Sequence, residues 1–532
     1  MTIRGSRELL RLALRRDRLM LPVWLYAIAG STLATLVAFQ RLYATDADRT
    51  RFALSINASS SLRALYGSVF DPTSIGGLTA WRMLVAGAVL TGLMSQLLVV
   101  RHSRAEEESG RLELVGAGVV GRGAALTAAV TTAALANLAI ALVVGAGLTA
   151  LGQPAAGSFA LGLAFAGVGL CFAGVAAVTA QFTETARGAN VLTGVLLGAA
   201  FLTRAAGDGA GPDGARRLSW LSPIGWAEQI RPYGGDRWWP LALLLTVAAL
   251  LLGWAAALGN RRDLGAALLA PKPGPAAAGP RLRSTRALAW RLERGALLGW
   301  VLGFTTGGLV VGGVSNGVLD MIRGSDQLRQ IIERMGGQQR AVDAYLAAIL
   351  GVFGMVASVY AVQAVLRMRA EESSGRAEPL LATPVSRLRW AGGHLVHPVL
   401  GSAVLLAAGG AATGIGAGAA VGDPVGRLGR CLVAALVQLP VVWVMTGFAV
   451  AVVGLLPRRE PAVWGVSALV LLIGYLGPAL DLNHWIMDLT PFQHLPRLPG
   501  GSLQWAPLLW LTLLATGLAG TGLAGLRRRD VG

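Results

Sequence analysis

Long apolar runs separated by shorter polar segments follow one another about twelve times along this chain of 532 residues. Most of them reach the roughly 20 residues that an α-helix needs to cross a bilayer. The alternation of apolar and polar residues with a period of two, which marks membrane β-barrels, does not occur in the sequence. The pattern predicts an all-α polytopic membrane protein with about twelve transmembrane helices. The predicted spans are 20–40, 80–100, 124–150, 157–181, 189–204, 239–259, 297–316, 344–366, 392–420, 429–455, 461–480 and 506–526.

The two halves of the chain resemble each other in sequence. Residues 104–113 read RAEEESGRLE and residues 369–378 read RAEESSGRAE, so eight of ten positions match at a separation of 265. Trp24 and Trp300 occupy equivalent places in the first and seventh spans. Six spans in each half give both halves the same orientation, so we predict a parallel repeat. The predicted parts are a first six-span unit at 1–270, a linker rich in Pro, Gly and Ala at 271–284, and a second six-span unit at 285–532.

The composition disfavours a soluble protein. Hydrophobic residues make up 54% of the chain and charged residues only 14%, whereas soluble domains carry roughly a quarter of charged residues. The formal net charge is +18, and Lys272 is the sole lysine, so arginine supplies nearly all the positive charge. These arginines lie between the apolar runs, which favours a role in membrane topology over binding to nucleic acid.

The arginines also predict an orientation in the membrane. They cluster before the first span, after the last span and in the connections that follow even-numbered spans. Cytoplasmic segments carry such an excess of basic residues, so both termini are expected in the cytoplasm. Residues 9–19 and 286–297 mix leucine or tryptophan with arginine before the first span of each half, which predicts interfacial helices in contact with membrane lipid. The bias toward Arg, Ala and Gly is typical of a GC-rich genome, and we expect a multi-pass protein of a bacterial plasma membrane.

Few polar side chains fall deep inside the predicted spans. Gln96, Gln363, His397 and Gln438 are the candidates, and a helix–helix hydrogen bond or a place at a span boundary is the simplest interpretation of each. An ion-driven carrier usually needs titratable groups at this depth. Their scarcity therefore disfavours that class and suits a hydrophobic cargo.

We call residues 104–113 and 369–378 the acidic segments. Each lies between the second and third spans of its half, on the side expected to be cytoplasmic. The charges have helical spacing, with an i,i+3 pair between Arg104 and Glu107 and an i,i+4 pair between Glu107 and Arg111. Such ion pairs would stiffen the helix, so that it would transmit a displacement from a partner protein to the membrane spans. The equivalent pairs of the second acidic segment are Arg369–Glu372 and Glu372–Arg376.

A simpler interpretation is that the acidic segments are solvated loops that only mark topology. Arginines suffice for that purpose, yet Glu and Ser residues recur in register as well. Gly110 and Gly375 also recur, and glycine allows a bend or the close approach of a partner. Repetition of sequence, and not of charge alone, favours a docking surface for a partner protein on each half.

The acidic segments, with Pro384-Val-Ser-Arg387 after the second one, resemble the coupling loop of ABC-2 type transporter permeases. Two permease units fused in one chain resemble the exporters of polyketide antibiotics of the tetronasin type. The phrase Leu221-Ser-Pro-Ile-Gly-Trp226 is also typical of that group, whereas the second half departs from it with Leu489-Thr-Pro-Phe-Gln-His494. The resemblance covers nearly the whole chain.

This resemblance implies a permease that moves hydrophobic drugs or antibiotics out of the cell. Two copies of a separate ATPase subunit would bind the acidic segments and carry ATP and Mg²⁺, with no cofactor on this chain. Closure of the ATPase pair would then switch the cavity between the two faces of the membrane. The residues that the resemblance implies as ATPase contacts are Arg104, Glu106, Glu107, Gly110, Arg111, Glu113, Arg369, Glu371, Glu372, Gly375, Arg376 and Glu378.

The sequence does not contain a phosphate-binding loop of the Walker A type. Such a loop needs a lysine after its glycine-rich turn, and Lys272 lies between Pro271 and Pro273, which lack the backbone donors that would hold phosphate. Cys171 and Cys431 lie in apolar runs without a CxxC motif, so no metal or redox site is predicted. We therefore expect a translocation subunit and not an enzyme.

Three alternatives stay open at this stage. An ABC-2 permease could carry a lipid or a glycan instead of a drug. An ion-driven secondary transporter is also commonly built from two six-span halves, but it would need buried acids and its own loop signature, and the sequence has neither. A membrane scaffold without transport activity would not need duplicated docking segments.

Overall fold

In the computed structural model of this protein, the described part of the chain consists of helices and their connections, with no strand. Most of the predicted linker 271–284 and the last four residues of the eleventh predicted span, 477–480, lie outside the described residues. The chain forms two compact units, Met1–Pro273 and Gly274–Gly532. The residues that the structure describes are 3–116, 118, 120–210, 216–263, 265–269, 277, 279, 282, 284–315, 338–476 and 483–529.

Long apolar helices form the body of the first unit, and shorter helices lie between them. The long helices α2, α5, α8, α9, α10 and α13 supply its candidate membrane spans. The helices of this unit are α1 (Ser6–Arg16), α2 (Met20–Leu42, with a π-helical turn at Tyr26–Gly30), α3 (Asp46–Ala58), α4 (Ser60–Tyr66), α5 (Ile75–His102), α6 (Arg104–Glu108), α7 (Arg111–Gly116), α8 (Ala124–Ala150), α9 (Ala155–Phe182), α10 (Ala186–Gly209), α11 (Arg216–Ser219), α12 (Pro223–Gln229) and α13 (Trp239–Gly259).

The second unit has a similar succession of long and short helices. The amphipathic segment that precedes its first span is continuous with that span in α14. The helices of this unit are α14 (Thr285–Gly313), α15 (Gln338–Ser373), α16 (Glu378–Leu381), α17 (Arg387–Val421), α18 (Pro424–Leu436), α19 (Leu439–Leu455), α20 (Glu460–Leu476), α21 (His484–Asp488) and α22 (Trp505–Arg528), with 3₁₀ turns at Pro457–Arg459 and Pro491–His494.

Within the described residues, 11 helices are long and apolar enough to cross a membrane. They coincide with all the predicted spans except the eleventh, including the short fifth one, which becomes Ala186–Gly209. Helices α18 and α19 together form one candidate span, Val425–Leu455. At the place of the eleventh predicted span lies a shorter apolar helix, Ala462–Gly474. The prediction of an all-α polytopic membrane protein is confirmed.

Polar side chains fix where several long helices begin. Ser74 accepts a hydrogen bond at 2.8 Å from an amide in the first turn of α5, and Thr185 accepts one at 3.0 Å in the first turn of α10. The first amides of a helix have no partner inside it, so such caps stabilise a helix by about 1 kcal/mol. Residues that cap helices in the same way in the second unit are Ser284 and Ser386.

Glycines let the membrane helices of each unit approach closely. In the first unit, a Cβ atom added to Gly162 of α9 would lie 2.5 Å from the carbonyl oxygen of Ala141 in α8. In the second unit, a Cβ atom added to Gly454 of α19 would lie 2.0 Å from the carbonyl oxygen of Gly522 in α22. Close packing of small residues drives the association of helices in lipid. It also accounts for the abundance of glycine in the sequence, at 72 residues.

Candidate functional site

Each acidic segment lies where the second span of its unit ends. In the first unit, α5 is followed by the short helix α6, and in the second unit α15 continues as far as Ser373. Both segments then turn at a glycine with a left-handed backbone, with φ of 71° at Gly110 and 73° at Gly375. No atom of the structure lies within 4 Å of a Cβ added at either position. The backbone conformation, and not a lack of space, therefore favours glycine here.

The i,i+4 ion pairs predicted within the acidic segments are wrong. The glycine turn ends the helix, so the arginine that follows leaves the helical face of the inner glutamate. Arg111 instead lies 3.8 Å from Glu106, and Arg376 donates two hydrogen bonds to Glu371 at 2.9 and 3.1 Å. The predicted pairs that do not occur among the ion pairs of the described residues are Glu107–Arg111 and Glu372–Arg376.

The i,i+3 ion pairs predicted within the acidic segments are confirmed. Arg104 Nη1 lies 2.5 Å from Glu107 Oε2, and Arg369 Nη1 lies 3.0 Å from Glu372 Oε2. The side chain of Arg104 is fully buried and also donates to two backbone carbonyls at 265–266, at 3.3 and 3.1 Å. These pairs are therefore part of the interior of the protein, not of a solvated loop.

A second arginine, which follows the last span of each unit, also binds the inner glutamate. Arg262, three residues beyond the end of α13, donates to both carboxylate oxygens of Glu107 at 2.7 and 2.8 Å. Arg529, the residue after α22, donates to Glu372 at 2.6 Å. The contact joins the end of the second span to the end of the last span in both units. We call these two clusters the glutamate clamps; their members are Arg104, Glu107 and Arg262, and Arg369, Glu372 and Arg529.

The first glutamate clamp also includes the end of the fourth span. Arg262 Nε donates to the side chain of Gln181 at 2.6 Å, near the end of α9. The amides of Leu268 and Leu269 donate to the carbonyls of Gln181 and Phe182 at 3.0 and 3.3 Å. The chain that leaves the last span therefore packs across the ends of both the second and the fourth spans.

A further acid–base contact joins the first span of each unit to the second. In the first unit, Asp17 lies 2.5 Å from His102 Nε2 and 3.1 Å from Arg101 Nη1. In the second unit, Glu293 lies 3.1 Å from Arg367 Nε. Both carboxylates are buried. This second duplicated contact shows that the repeat includes the contacts around the acidic segments as well as their sequence.

The residues of the acidic segments have two kinds of environment. The clamp residues face the protein, and the side chains of Arg104 and Glu372 are 0% and 1% exposed. The arginines after the glycine turns face away from it, with side chains 62% exposed at Arg111 and 61% exposed at Arg376. Glu113 and Glu378 are also exposed, whereas Glu106 and Glu371 lie between the two groups. The outward group forms an exposed, charged surface in each unit.

Sequence reasoning identified the glutamates of the clamps but not their partners outside the acidic segments. The partners are far away in the sequence, so helical spacing does not reveal them. A signal was nevertheless present, because Arg262 and Arg529 both closely follow a last span, at a separation of 267. Likewise, Asp17 and Glu293 each stand seven residues before the equivalent tryptophans at 24 and 300.

At the other end of the first unit lies a buried ionic cluster. Arg204 is fully buried in α10 and lies 3.3 Å from both Asp208 and Glu228, and it donates to the carbonyl of Leu65 at 3.1 Å. The phrase Leu221-Ser-Pro-Ile positions this cluster, because Ser222 caps the helix α12 that carries Glu228. Burial raises the pKa of Glu228 well above its usual value; Arg204 opposes this shift, and Asp208 adds to it.

The described residues contain no group of three His, Cys, Asp or Glu side chains placed to hold a metal ion. The two cysteines, Cys171 and Cys431, are buried and unpaired as thiols. Of the polar residues predicted within spans, Gln96 forms the expected contact between helices, with its amide 3.4 Å from the carbonyl of Asn190. His397 packs against Trp290, with ring centroids 6.0 Å apart.

Many apolar helices in two units, each with similar ionic contacts at one end, define a polytopic membrane protein. Residues 282–527 match the family model of the C-terminal domain of the multidrug efflux system permease Rv1217c. The multidrug efflux system permease protein Rv1217c of Mycobacterium tuberculosis is 41% identical over 533 residues, which cover 99% of this chain and 95% of that protein. The chain belongs to this family of multidrug efflux permeases. The resemblance to the permeases of ABC-type drug exporters is therefore confirmed.

Proposed function

We propose that the chain is the transmembrane subunit of an ATP-driven ABC exporter of hydrophobic drugs or antibiotics. Two copies of a separate ATPase subunit, which carry ATP and Mg²⁺, bind one acidic segment each. The acidic segments and both termini lie on the cytoplasmic face of a bacterial plasma membrane. The name of the relative, a multidrug efflux system permease, supports a drug as cargo.

The duplicated glutamate clamp is the observation that carries this proposal. A pair of ATPase subunits needs two equivalent points at which to act on the membrane helices. The acidic segments offer two such points, with the same contacts to the second and last spans in each unit. A scaffold or a topology signal has no need for two identical internal attachments.

The two environments within each acidic segment suggest a division of roles. The side chains of Arg111 and Arg376 are exposed enough to contact an ATPase surface of opposite charge as well as the glutamates beside them. The buried clamp passes the displacement on, because a buried, bidentate arginine–carboxylate contact resists separation. A push on the first segment thus reaches α5 and α13 through Glu107 and Arg262. It also reaches α2, through the contact of His102 with Asp17.

Charge reversal on the exposed side tests this proposal without disturbing the clamps. The double variant Arg111→Glu/Arg376→Glu is expressed together with the genes that neighbour the gene of this chain, one of which we expect to encode the ATPase. We expect co-purification of the ATPase to weaken by about tenfold or more, since opposite charges would become like charges at both docking points. Drug-stimulated ATP hydrolysis should fall with it. Co-purification and stimulated hydrolysis at the level of the unchanged protein would contradict the proposal.

A matched control uses an exposed arginine away from the acidic segments. Arg51 in α3 has a side chain 65% exposed and pairs only weakly with Asp48, at 3.9 Å. Arg51→Glu makes the same change of charge and should leave the binding of the ATPase unchanged. A loss of binding in this control would mean that net charge, and not the acidic segments, governs the interaction.

The proposed orientation has its own test. Ser109 and Ser374 are exposed beside the two glycine turns. With cysteine in place of either, a maleimide that cannot cross membranes should label the protein only after the cells are permeabilised. Labelling in intact cells would contradict a cytoplasmic position. The native Cys171 and Cys431 are buried and serve as the background.

A further inference from the structure

The second unit contains a cavity of ≈ 690 Å³ at the end opposite its acidic segment. The cavity follows α15 from Ala344 to Met355, which is about 16 Å at the rise of an α-helix. The chain from Phe492 to Gly501 lines the other side. Ligand pockets of about 300–1,000 Å³ hold drug-sized molecules. This cavity therefore has the volume for such a molecule.

Small residues of α15 create much of this space. Ala344, Ala347, Ala348 and Gly351 line the cavity. At the separation of 265 that relates the acidic segments, α5 carries a larger residue at each of these four positions. The residues of α5 that correspond to the four are Thr79, Arg82, Met83 and Ala86.

The equivalent face of α5 in the first unit is packed. Thr79 and Met83, which correspond to Ala344 and Ala348, are 0% and 8% exposed. Arg82 fills part of the region, with its guanidinium carbon 4.3 Å from the centre of the Tyr66 ring. The two units therefore differ in accessible space although they share the contacts of the opposite end.

The loop that closes the cavity also differs between the units. In the first unit, Ser222-Pro-Ile begins the helix α12, and Ile224 and Ala227 are fully buried. In the second unit, Thr490-Pro-Phe begins only a 3₁₀ turn, and Phe492 and Gln493 stay half-buried along the cavity. The departure of the second half from the sequence phrase of the first therefore coincides with the open space.

A buried polar side chain without a partner lines the cavity. Gln438, at the start of α19, is 6% exposed, and its side chain has no hydrogen-bond partner in the part of the chain that the structure describes. Of the two interpretations that the sequence left open for Gln438, the helix–helix hydrogen bond does not occur among the described residues. Its amide packs so tightly on Gly354 that a Cβ atom there would lie 2.7 Å from Oε1. Because Gln438 lines the cavity, a ligand with a polar group would find a hydrogen-bonding amide there.

Ionic contacts support the wall of the cavity. The buried Arg427 of α18 donates to Asp343 at 2.5 Å, next to Ala344 at the mouth of the cavity. Tyr345 donates to the carbonyl of Val311 at 3.0 Å, which joins α15 to α14. The site is therefore held open by contacts of its own helices. Arg497, which lines the cavity, is exposed and has no ion-pair partner among the described residues, so it offers a positive charge.

We propose that this cavity is the cargo site of the exporter, that it belongs to the second unit alone, and that it takes a hydrophobic molecule with a hydrogen-bonding group and no positive charge. This assignment rests on the proposed function. The cargo packs against the alanines of α15 and Phe492, and Gln438 satisfies its polar group. Arg497 favours an anionic or neutral ligand over a cation.

Binding of the amphipathic anion 8-anilinonaphthalene-1-sulfonate to the full chain in lipid nanodiscs tests the site. Its fluorescence is measured against empty nanodiscs, and no ATPase is needed. The variant Ala344→Thr/Ala348→Met places the residues of the first unit at the same helical positions. We expect its affinity for the dye to fall by about tenfold or more, since the cavity is filled. Unchanged affinity would overturn the proposal.

Two further variants distinguish binding of the dye in the cavity from binding of the dye to the surface of the protein. Gln438→Leu should weaken binding of the dye several-fold, because the hydrogen bond is lost. The variant Ala242→Thr/Ala257→Met makes the same changes of side chain on exposed positions of α13 and should bind as the unchanged protein does. Equal losses in this control and in the filled cavity would overturn the assignment.

Export of the dye by membrane vesicles that also contain the ATPase decides whether the site lies on the transport path. Loss of both binding and export in Ala344→Thr/Ala348→Met supports the proposal. Loss of binding with unchanged export overturns the cargo assignment and leaves the proposed function intact. Failure of the proposed function itself would appear in the unchanged protein, as an absence of ATP-dependent export.

Discussion

The guanidinium of Arg262 donates two hydrogen bonds to the carboxylate of Glu107, at 2.8 Å from Nη1 and 2.7 Å from Nη2. The two residues are 155 positions apart and belong to the ends of the last and second spans of the first unit. Arg529 and Glu372 form the equivalent contact in the second unit, at 2.6 Å. An acidic segment attached in this way moves together with two spans, which the proposed coupling to an ATPase requires.

Loss of the buried arginine should destabilise the first unit strongly. Arg262→Ala leaves Glu107 with Arg104 as its remaining partner, and the side chains of both clamp partners are at most 10% exposed. Removal of one member of a buried ion pair costs about 3 kcal/mol or more. Thermal unfolding in nanodiscs should show a clearly lower midpoint. Glu113→Gln, at an exposed position, is the control, and equal midpoints for the two variants would contradict the clamp.

Alanine in place of either turn glycine should lower the stability of the protein, and backbone strain alone should account for the loss. Gly110→Ala and Gly375→Ala each place a side chain on a left-handed residue, which costs about 1 kcal/mol, although no atom obstructs the Cβ. Gly253→Ala is the matched control: that glycine lies in α13 with open space around its Cβ, so alanine should stabilise the helix by about 1 kcal/mol. If the midpoints of thermal unfolding shifted in the same direction in all three variants, left-handed backbone at Gly110 and Gly375 would not be the reason for glycine there.

The buried acid of the first unit predicts a dependence of stability on pH. Burial raises the pKa of Glu228 above the ordinary value of 4.5, so the folded protein holds a proton that the unfolded chain releases. The stabilisation is fully present below that ordinary value and is lost as pH rises through the raised pKa. Glu228→Gln mimics the protonated acid, so its free energy of unfolding should fall less steeply as the pH rises above that ordinary value. If the free energy of unfolding depended on pH in the same way in the variant and in the unchanged protein, the raised pKa of Glu228 would be contradicted.

The acid–base contact between the first and second spans should be needed for drug-stimulated ATP hydrolysis in both units. Asp17→Ala leaves His102 and Arg101 without their carboxylate, and Glu293→Ala removes the carboxylate of Arg367. We expect each variant to reach the membrane but to lower drug-stimulated ATP hydrolysis by several-fold, because the push no longer reaches the first span. Asp48→Ala, in α3, where the carboxylate side chain is 47% exposed, should leave drug-stimulated ATP hydrolysis unchanged. Full stimulation in both buried variants would show that this contact does not take part in coupling.

The sequence allowed most of the fold to be predicted, because the bilayer imposes a length on every span. Eleven of the spans, the repeat of the acidic segments and the i,i+3 pairs follow from local patterns. The i,i+4 pairs failed for a local reason: left-handed backbone at Gly110 and Gly375 ends the helix, and spacing alone does not reveal where a helix stops.

The rest of the candidate site depends on contacts between distant parts of the chain. Arg262 and Arg529 looked like ordinary basic residues after a span, because their partners are more than 150 positions away. The cavity of the second unit was hidden for a similar reason. Each alanine of α15 is unremarkable alone, and only a position-by-position comparison with Arg82 and Met83 of α5 indicates an opened space.

Drug uptake by inside-out membrane vesicles that contain this chain and its ATPase tests the central claim most directly. ATP should drive accumulation of a fluorescent hydrophobic drug, a protonophore should leave that accumulation in place, and Arg111→Glu/Arg376→Glu should abolish it while the protein remains in the membrane. Accumulation driven by a proton gradient without the ATPase, or ATP-driven accumulation that survives the double reversal, would contradict an exporter coupled through the two acidic segments.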